Sequence, residues 1–281
     1  MNVLSLFDGI SCGQLALKKA GIGYGRYYAS EIDKYAIKVT QKNFPSTIQI
    51  GDVRQVKAEN IAKIDLLLGG SPCQGFSTAG KGKHFEDERS NLFFEYVRLL
   101  NETNPRYFLF ENVAMKRECE NEISEALGVK PITINSNLVS AADRKRLYWT
   151  NIAGVTQPQD KGITWGDVRE YGVEEKYYYK QGAKKWFEKI EKERGKRIKV
   201  FKDSEKMQML EASMYKRYSI QRFFGIEDEQ GLRYITPKEC ERCMCVPDGY
   251  TDCVSDTQRY KQLGNGWTVD VIAHILGFIN F

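Results

Sequence analysis

The chain has 281 residues and a mass of 32.3 kDa, enough for one large α/β domain or for a core domain carrying a smaller insert. Seven cysteines are an odd number at low density, and the opening MNVLSLFDGI has neither a basic n-region nor a small-residue cleavage site. A secreted, disulfide-framed protein is therefore not expected, and a reducing cytoplasm is. With 42% apolar and 28% charged residues, and no apolar run near the ~18 residues of a membrane span, the composition excludes a disordered chain and argues against a membrane protein.

Short apolar runs alternate with helical patterns in the first part of the chain, the signature of βαβ units and a mainly parallel sheet. In chain order, 3–7 reads as a strand, 12–20 as a helix, 27–30 as a strand, 34–43 as a helix and 47–50 and 65–68 as strands. A helix over 92–102 follows the charged loop 81–89, and 107–110 reads as a further strand. The alternation holds to about Ile152. Beyond Gln157 it gives way to a Tyr- and Lys-rich stretch in which 183–197 reads as one amphipathic helix with Trp186, Phe187 and Ile190 inward. After Tyr234 come a helix start, Thr236-Pro237 with Glu239, and a last apolar helix over 269–279. This order predicts a module inserted between an α/β core and the core's own C-terminal helix.

Charge follows the same division. The net charge is +5, but residues 176–222 hold fifteen basic and six acidic side chains, a local +9 that leaves −4 for the rest. Such a field suits a phosphate-bearing polymer, and equally a solvated helix face.

Chemistry-bearing residues recur where the strands should end. Phe7-Asp8-Gly9-Ile10-Ser11-Cys12-Gly13 falls at the turn from the first strand into the first helix. Small residues there let a ligand approach the backbone and the helix N-terminus, although a plain tight turn would use the same residues. Glu31 closes the second strand, 22 residues after Gly9, where an acidic side chain of a doubly wound sheet accepts from ribose hydroxyls. Asp52, in Gly51-Asp52-Val53, closes the third, so the set describes a nucleoside pocket at the carboxyl edge. Gly69-Gly70-Ser71-Pro72-Cys73-Gln74 puts a thiol on a stiff turn after the fourth strand, placed to act as a nucleophile, whereas most other cysteines read as buried small hydrophobes. The fifth strand ends in Glu111-Asn112-Val113, a carboxylate able to give or share a proton, or a surface Glu at a strand end. Arg144 and Arg146, at i and i+2 of an extended segment, point to one side, toward carbonyl or phosphate oxygens or toward solvent. Gln262-Leu263-Gly264-Asn265-Gly266-Trp267 is a Gly-flanked turn that could close over a ligand or cap the last helix.

In this order the elements resemble the motifs of the DNA (cytosine-5)-methyltransferases: Phe7-Asp8-Gly9, Glu31, Asp52, Pro72-Cys73-Gln74, Glu111-Asn112-Val113, Arg144-x-Arg146 and Gln262-x-Gly264-Asn265. Thr236-Pro237-Lys238-Glu239 and Pro247-Asp248-Gly249-Tyr250 resemble the segment that returns the chain to the core. Ser71 and Ser140-Ala141-Ala142-Asp143-Arg144 are nearest to phage or prophage members and to the animal de novo enzymes. The resemblance implies an α/β fold: a Rossmann-like, S-adenosylmethionine-dependent methyltransferase sheet from 1–152 and 234–281, with a smaller inserted target-recognition domain over 153–233. It implies S-adenosylmethionine as cofactor and S-adenosylhomocysteine as product. Phe7, Asp8, Gly9 and Ile10 would line the methionine side and Glu31 the ribose. Asp52 and Val53 would meet the adenine, Ile32 and Trp267 would flank the adenine or its methionine end, and Pro72 and Asn265 would join the pocket.

Cys73, Glu111, Arg144 and Arg146 would be catalytic, with the Cys73 thiolate on carbon 6 of a flipped cytosine, Glu111 at ring nitrogen 3 and Arg146 on the carbonyl oxygen, under a closing loop over 75–89. In the insert, Tyr177-Tyr178-Tyr179, Lys184-Lys185-Trp186 and Tyr215-Lys216-Arg217-Tyr218 could supply phosphate and base contacts. The implied partner is double-stranded DNA, bound by a monomer, with no membrane and with a companion restriction endonuclease left open. The implied setting is the cytoplasm of a bacterium or phage-infected host.

Several positions depart from the family pattern. Ser11 replaces a glycine, Ala142 replaces the glutamine that opens Q-x-R-x-R, and Cys243 and Cys245 stand where Leu and Gly are usual. Cys240, Cys243, Cys245 and Cys253 are spaced C-x2-C-x-C-x7-C, but no second CxxC accompanies the first, and no metal is expected. Three other readings compete. A tRNA-modifying relative would carry a Cys-Phe-Thr segment that the insert lacks. A silent homologue would have no reason to keep Cys73, Glu111 and Arg146, and a nicotinamide oxidoreductase would want the missing glycine.

Overall fold

The computed structural model describes residues 1–72, 91–208, 210–216 and 224–280. The expected nucleophile Cys73, the expected loop over 75–89, and Arg217 and Tyr218 of the insert lie outside the described residues. The chain forms two compact units, one from Met1–Asn135, Lys145–Pro158 and Val269–Phe281, the other from Ser136–Arg144 and Gln159–Thr268.

The first unit is built on β1 (Val3–Leu6), α1 (Cys12–Lys19), β2 (Tyr27–Ser30), α2 (Lys34–Asn43), β3 (Ile48–Gln49), β4 (Leu66–Gly69), α3 (Asn91–Thr103), β5 (Tyr107–Val113), α4 (Arg117–Leu127), β6 (Ile132–Asn135) and β7 (Lys145–Thr150). Its seven strands run in the order β3-β2-β1-β4-β5-β7-β6. The pairs β1·β2, β1·β4, β2·β3 and β4·β5 are parallel, and β7 is antiparallel to both β5 and β6. Strands β1, β2 and β4 are buried at every residue, as near-continuous apolar runs covered on both faces should be. Strand order reverses between β1 and β4, and in a doubly wound sheet ligands bind beside such a reversal, outside the carboxyl ends of the strands.

The core of this unit is aromatic on one face. Phe93 and Tyr96 of α3 lie against Phe110 at ring distances of 5.3 and 4.8 Å, and Phe110 lies 5.9 Å from Trp149. The first elements fall within a residue or two of the sequence reading. The fifth strand continues past Phe110 to Val113, because β7 pairs with its end, Glu111 opposite Tyr148 and Val113 opposite Arg146.

The second unit contains α5 (Trp165–Val168), α6 (Gln181–Arg194), β8 (Lys199–Val200), β9 (Phe224–Asp228), β10 (Gly231–Arg233), α7 (Pro237–Cys243) and α8 (Asp256–Asn265), with the three strands in the order β10-β9-β8. Helix α6 stops at Arg194, before the expected Arg197, because Gly195 takes a left-handed conformation at φ 62°. Ala183, Phe187 and Ile190 are its buried residues, and Trp186 is half-buried. Helix α7 begins with the reciprocal cap of Thr236 and Glu239. The last helix, α9 (Val269–Leu276), belongs to the first unit, where it packs on α1 and Asp270 pairs with Lys19. No described helix is long and apolar enough to cross a membrane.

Gly69 ends β4 where there is no room for a side chain. A Cβ there would lie 2.7 Å from Tyr96 Cδ2 and 3.3 Å from the Leu6 carbonyl oxygen, and the Tyr96 ring is fully buried. Gly69→Ala is expected to lower the unfolding free energy by about 1–3 kcal/mol in a denaturant titration. An unchanged midpoint would mean that the Tyr96 ring yields.

Candidate active site

The end of β2 meets the turn after β1, where Asp8 N donates to the Ser30 carbonyl and Gly9 N to Glu31. The backbone of this turn is left-handed at Phe7 (φ 57°), Gly9 (φ 59°) and Ser11 (φ 58°), two of them side-chain-bearing residues for which this region is costly. What holds the turn is a buried polar network. The Asp8 carboxylate accepts from Tyr27 Oη at 2.8 Å and from Ser11 Oγ, and Ser11 Oγ accepts from Gln14 Nε2 at 2.9 Å. Gln14 Nε2 also donates to Thr47 Oγ1 at 2.8 Å, and Gln14 Oε1 accepts from Tyr24 Oη at 2.7 Å. Asp8 therefore turns its carboxylate into the protein, and burial pushes it from 3.8 to about 6, against the hydrogen bonds from Ser11, Ser5 and Tyr27. Ile10 and Val53 are likewise buried, so these three expected pocket residues present mainly backbone to a ligand.

Glu31 is the carboxylate that faces the turn. Its Oε2 accepts from Gly9 N at 2.8 Å, and its Oε1 from Ile32 N at 2.7 Å and Asp33 N at 2.8 Å. Ile32 beside it is 72% exposed, an isolated apolar face at a strand end. At the next strand end Asp52 caps a short turn and accepts from Arg54 N and from the Arg54 guanidinium, which holds its carboxyl below the usual range. Gly9 and Gly51 both have positive φ, and a Cβ built on either meets nothing within 4 Å. Open space beside glycine backbone, a fixed carboxylate and an exposed apolar side chain is a donor and acceptor set that fits a nucleoside: Glu31 for ribose hydroxyls, Ile32 for a base face, Asp52 for an exocyclic amine.

Along the same edge lie the ends of β4 and β5. The Glu111 carboxylate pairs with Arg146 Nε at 3.0 Å, with side chains 12% and 9% exposed. Asn112, buried, places its Nδ2 3.5 Å from the Ser71 carbonyl, so the Glu111-Asn112-Val113 motif touches the segment that runs through exposed Pro72 toward Cys73. Ser71, Pro72, Glu111 and Arg146 are thereby brought to one edge of one unit.

Arg144, expected beside Arg146, precedes β7 and is part of the second unit. Its buried guanidinium donates from Nη1 to the carbonyls of Leu210 (2.9 Å) and Gly264 (3.1 Å) and from Nη2 to that of Gly266 (3.0 Å). Asn265 is exposed and Trp267 half-buried in the same turn. The expected departures have local causes. Cys245, where glycine is usual, has φ 58°, and Cys243 is fully buried, with burial pushing its thiol up. Among the described residues no three His, Cys, Asp or Glu side chains converge as metal ligands. The Gln14, Tyr24, Tyr27 and Thr47 members of the Asp8 network carry no motif signal in the sequence, and only their small spacing from the turn could have suggested Gln14.

The family model for C-5 cytosine-specific DNA methylases matches residues 1–129 and 133–280, and the chain belongs to that family. Type II methyltransferase M1.ScrFI of Lactococcus lactis subsp. cremoris is 32% identical over 299 residues, covering 96% of this chain and 76% of that protein. Orphan methyltransferase M.SPRI of Bacillus phage SPR is 38% identical over 178 residues, which cover 59% of this chain but only 40% of the phage protein, so the chain spans less than half of that relative's length. Among solved structures, the Entamoeba histolytica methyltransferase EhMeth superposes with a TM-score of 0.80 at 19% identity, covering 99% of this chain and 97% of the other, a likeness of fold. The doubly wound sheet is therefore that of the Rossmann-like methyltransferases.

Asp8 has a signature in stability. With its carboxyl raised from 3.8 to about 6, the folded protein keeps a proton that the unfolded chain releases between those values. Stability should fall as pH rises through this window, by about 1.4 kcal/mol per pH unit, and level off above it. Asp8→Asn is expected to remove that component from urea unfolding measured between pH 4 and 7. An identical slope in the variant would assign it to another group.

Proposed function

We propose that the protein is a DNA (cytosine-5)-methyltransferase that methylates carbon 5 of a flipped cytosine in a short sequence of double-stranded DNA through a covalent Cys73 adduct. The observation that carries this reading is the Glu111–Arg146 pair at the strand edge where Ser71-Pro72 leads to Cys73. A buried carboxylate clamped by a guanidinium is suited to face the amidine-like edge of a cytosine, with Glu111 at ring nitrogen 3 and Arg146 toward the carbonyl oxygen.

In this mechanism Cys73 Sγ, as thiolate, forms a bond to carbon 6. The electrons of the C5=C6 bond shift toward C4 and nitrogen 3, where a proton shared with Glu111 meets them, so carbon 5 becomes an enamine carbon. S-adenosylmethionine, when bound, supplies the electrophilic methyl group. Once carbon 5 has taken that methyl group, leaving S-adenosylhomocysteine, loss of the carbon-5 proton to water restores the C5=C6 bond and expels Sγ as thiolate, and the nitrogen-3 proton returns to Glu111. The residues that would hold the cofactor are the backbone of 7–10, the Glu31 carboxylate, Ile32, Asp52 with the backbone of Val53, Pro72, and Asn265 and Trp267. Extrusion of the base is required because carbon 6 of a stacked cytosine is out of reach of a side chain. Residues 153–233, which contain the whole +9 segment, are assigned to target recognition, and 1–152 with 234–281 to catalysis.

Bisulfite sequencing of DNA from a methylation-deficient bacterial host tests the reading. Expression of the wild type should leave cytosines of one short recurring sequence unconverted, while Cys73→Ala should give complete conversion and still bind DNA and S-adenosylhomocysteine. Glu111→Gln should lower the methylation rate by at least about 100-fold. Complete conversion with folded wild-type protein would overturn the assignment, and retained turnover in Cys73→Ala would overturn the covalent step.

A further inference from the structure

The second unit closes around a loop, Ser136–Arg144, that is pinned by cations at both ends. Lys206 Nζ donates to the carbonyls of Asn137, Ser140 and Ile163, and Met207 exchanges backbone hydrogen bonds with Ala141 and Asp143. At the other end Arg144, 5% exposed, reaches the carbonyls of Leu210, Gly264 and Gly266. Two of these carbonyls flank Asn265 at the end of α8, where the last carbonyls of a helix have no intrahelical partner and a cation is favoured. The third precedes the turn Ala212–Lys216. The two segments are in direct contact: a Cβ on Gly264 would fall 2.2 Å from Ala212 N and from the Glu211 carbonyl carbon.

We propose that Arg144 is a positioning residue that clamps the Gly264–Trp267 turn to the 210–216 segment, so that one guanidinium sets the turn carrying Asn265 and Trp267 together with the recognition insert. The forked guanidinium is needed because its two terminal nitrogens reach carbonyls on both sides of Asn265 and on Leu210, a spread that a single ammonium on a different stem would satisfy only in part. What the two segments bind rests on the function proposed above, while the clamp itself rests on the three hydrogen bonds.

Hydrogen exchange separates these layers. In Arg144→Lys, amides of peptides covering 208–216 and 262–268 should exchange at least about tenfold faster together, with β1 and β4 unchanged. The dissociation constant for S-adenosylhomocysteine, measured by calorimetry without DNA, should rise about tenfold, and KM for the cofactor should rise by more than kcat falls. Unchanged exchange and affinity with a hundredfold lower kcat would overturn the clamp and make Arg144 a group that touches substrate, and faster exchange throughout the chain would reduce it to general stability. Should Arg144→Lys fail to fold, Gly264→Ala leaves the guanidinium intact but parts the two segments. The same paired acceleration is expected there, and acceleration of one segment alone would overturn the clamp. Wild-type protein that bound no S-adenosylhomocysteine would count against the proposed function and leave the exchange result standing.

Discussion

A strand that pairs parallel to its neighbour cannot turn back directly, so each crossover returns the chain to the amino edge and every strand ends at the same carboxyl edge. That constraint gathers Gly9, Glu31, Asp52, Ser71-Pro72 and Glu111, which are scattered through the first 111 residues, onto one rim. It also explains why one motif lies on the other side of its strand. Because β7 is antiparallel to β5, its amino end meets the carboxyl end of β5, and Arg146, the second residue of β7, sits opposite Val113 within reach of Glu111. A chemical group at this rim must follow a parallel strand or precede an antiparallel one.

Each unit holds its turns with polar groups as well as by apolar packing. Burying a charge is costly unless hydrogen bonds replace water, and the geometry that satisfies it is narrow. Buried Asp8 has the hydroxyls of Ser11, Ser5 and Tyr27, half-buried Glu31 has three backbone amides and, in the second unit, buried Arg144 has three carbonyls. In the returning segment Glu241, fully buried, accepts from Gly249 N, Thr251 N, Thr251 Oγ1 and Arg259. Each set ties a turn to a distant element, so left-handed residues such as Phe7 and Ser11 persist where an isolated peptide would relax them.

The alternation of apolar runs with punctuating Gly, Asp and Pro made the first strands and helices legible, because those signals are local. The run from Glu111 to Val113 reads as a strand end until β7 is known to lie beside it, and antiparallel pairing across more than thirty residues leaves no period in the sequence. The i, i+2 spacing of Arg144 and Arg146 presumes one continuous strand, whereas β7 begins at Lys145 and the two side chains serve different units. Asp8 is readable as a motif residue but not as an inward one, since neither its Tyr27 and Ser11 partners nor the left-handed backbone beside it is encoded by composition. The cysteine spacing was a weaker guide still, for Cys240 and Cys243 are core residues of α7.

Two departures from the family pattern, Ser11 in the first unit and Ala142 in the second, show how a structural task can move between residues. At position 11 the backbone needs a left-handed residue, a role glycine fills without strain; Ser11 accepts the strain and gains a hydroxyl that joins Asp8 to Gln14. At position 142 the side chain is fully buried and the backbone bridges to Met207, so a glutamine amide would have to enter a filled space. The loop is ordered by its neighbours: Ser136 Oγ donates to the Ala142 carbonyl, Ser140 Oγ accepts from Ala142 N and donates to the Cys243 carbonyl, and Lys206 holds the loop from outside. A motif letter can therefore change while the constraint it served is kept, provided that the loop's buried donors and acceptors are all still met.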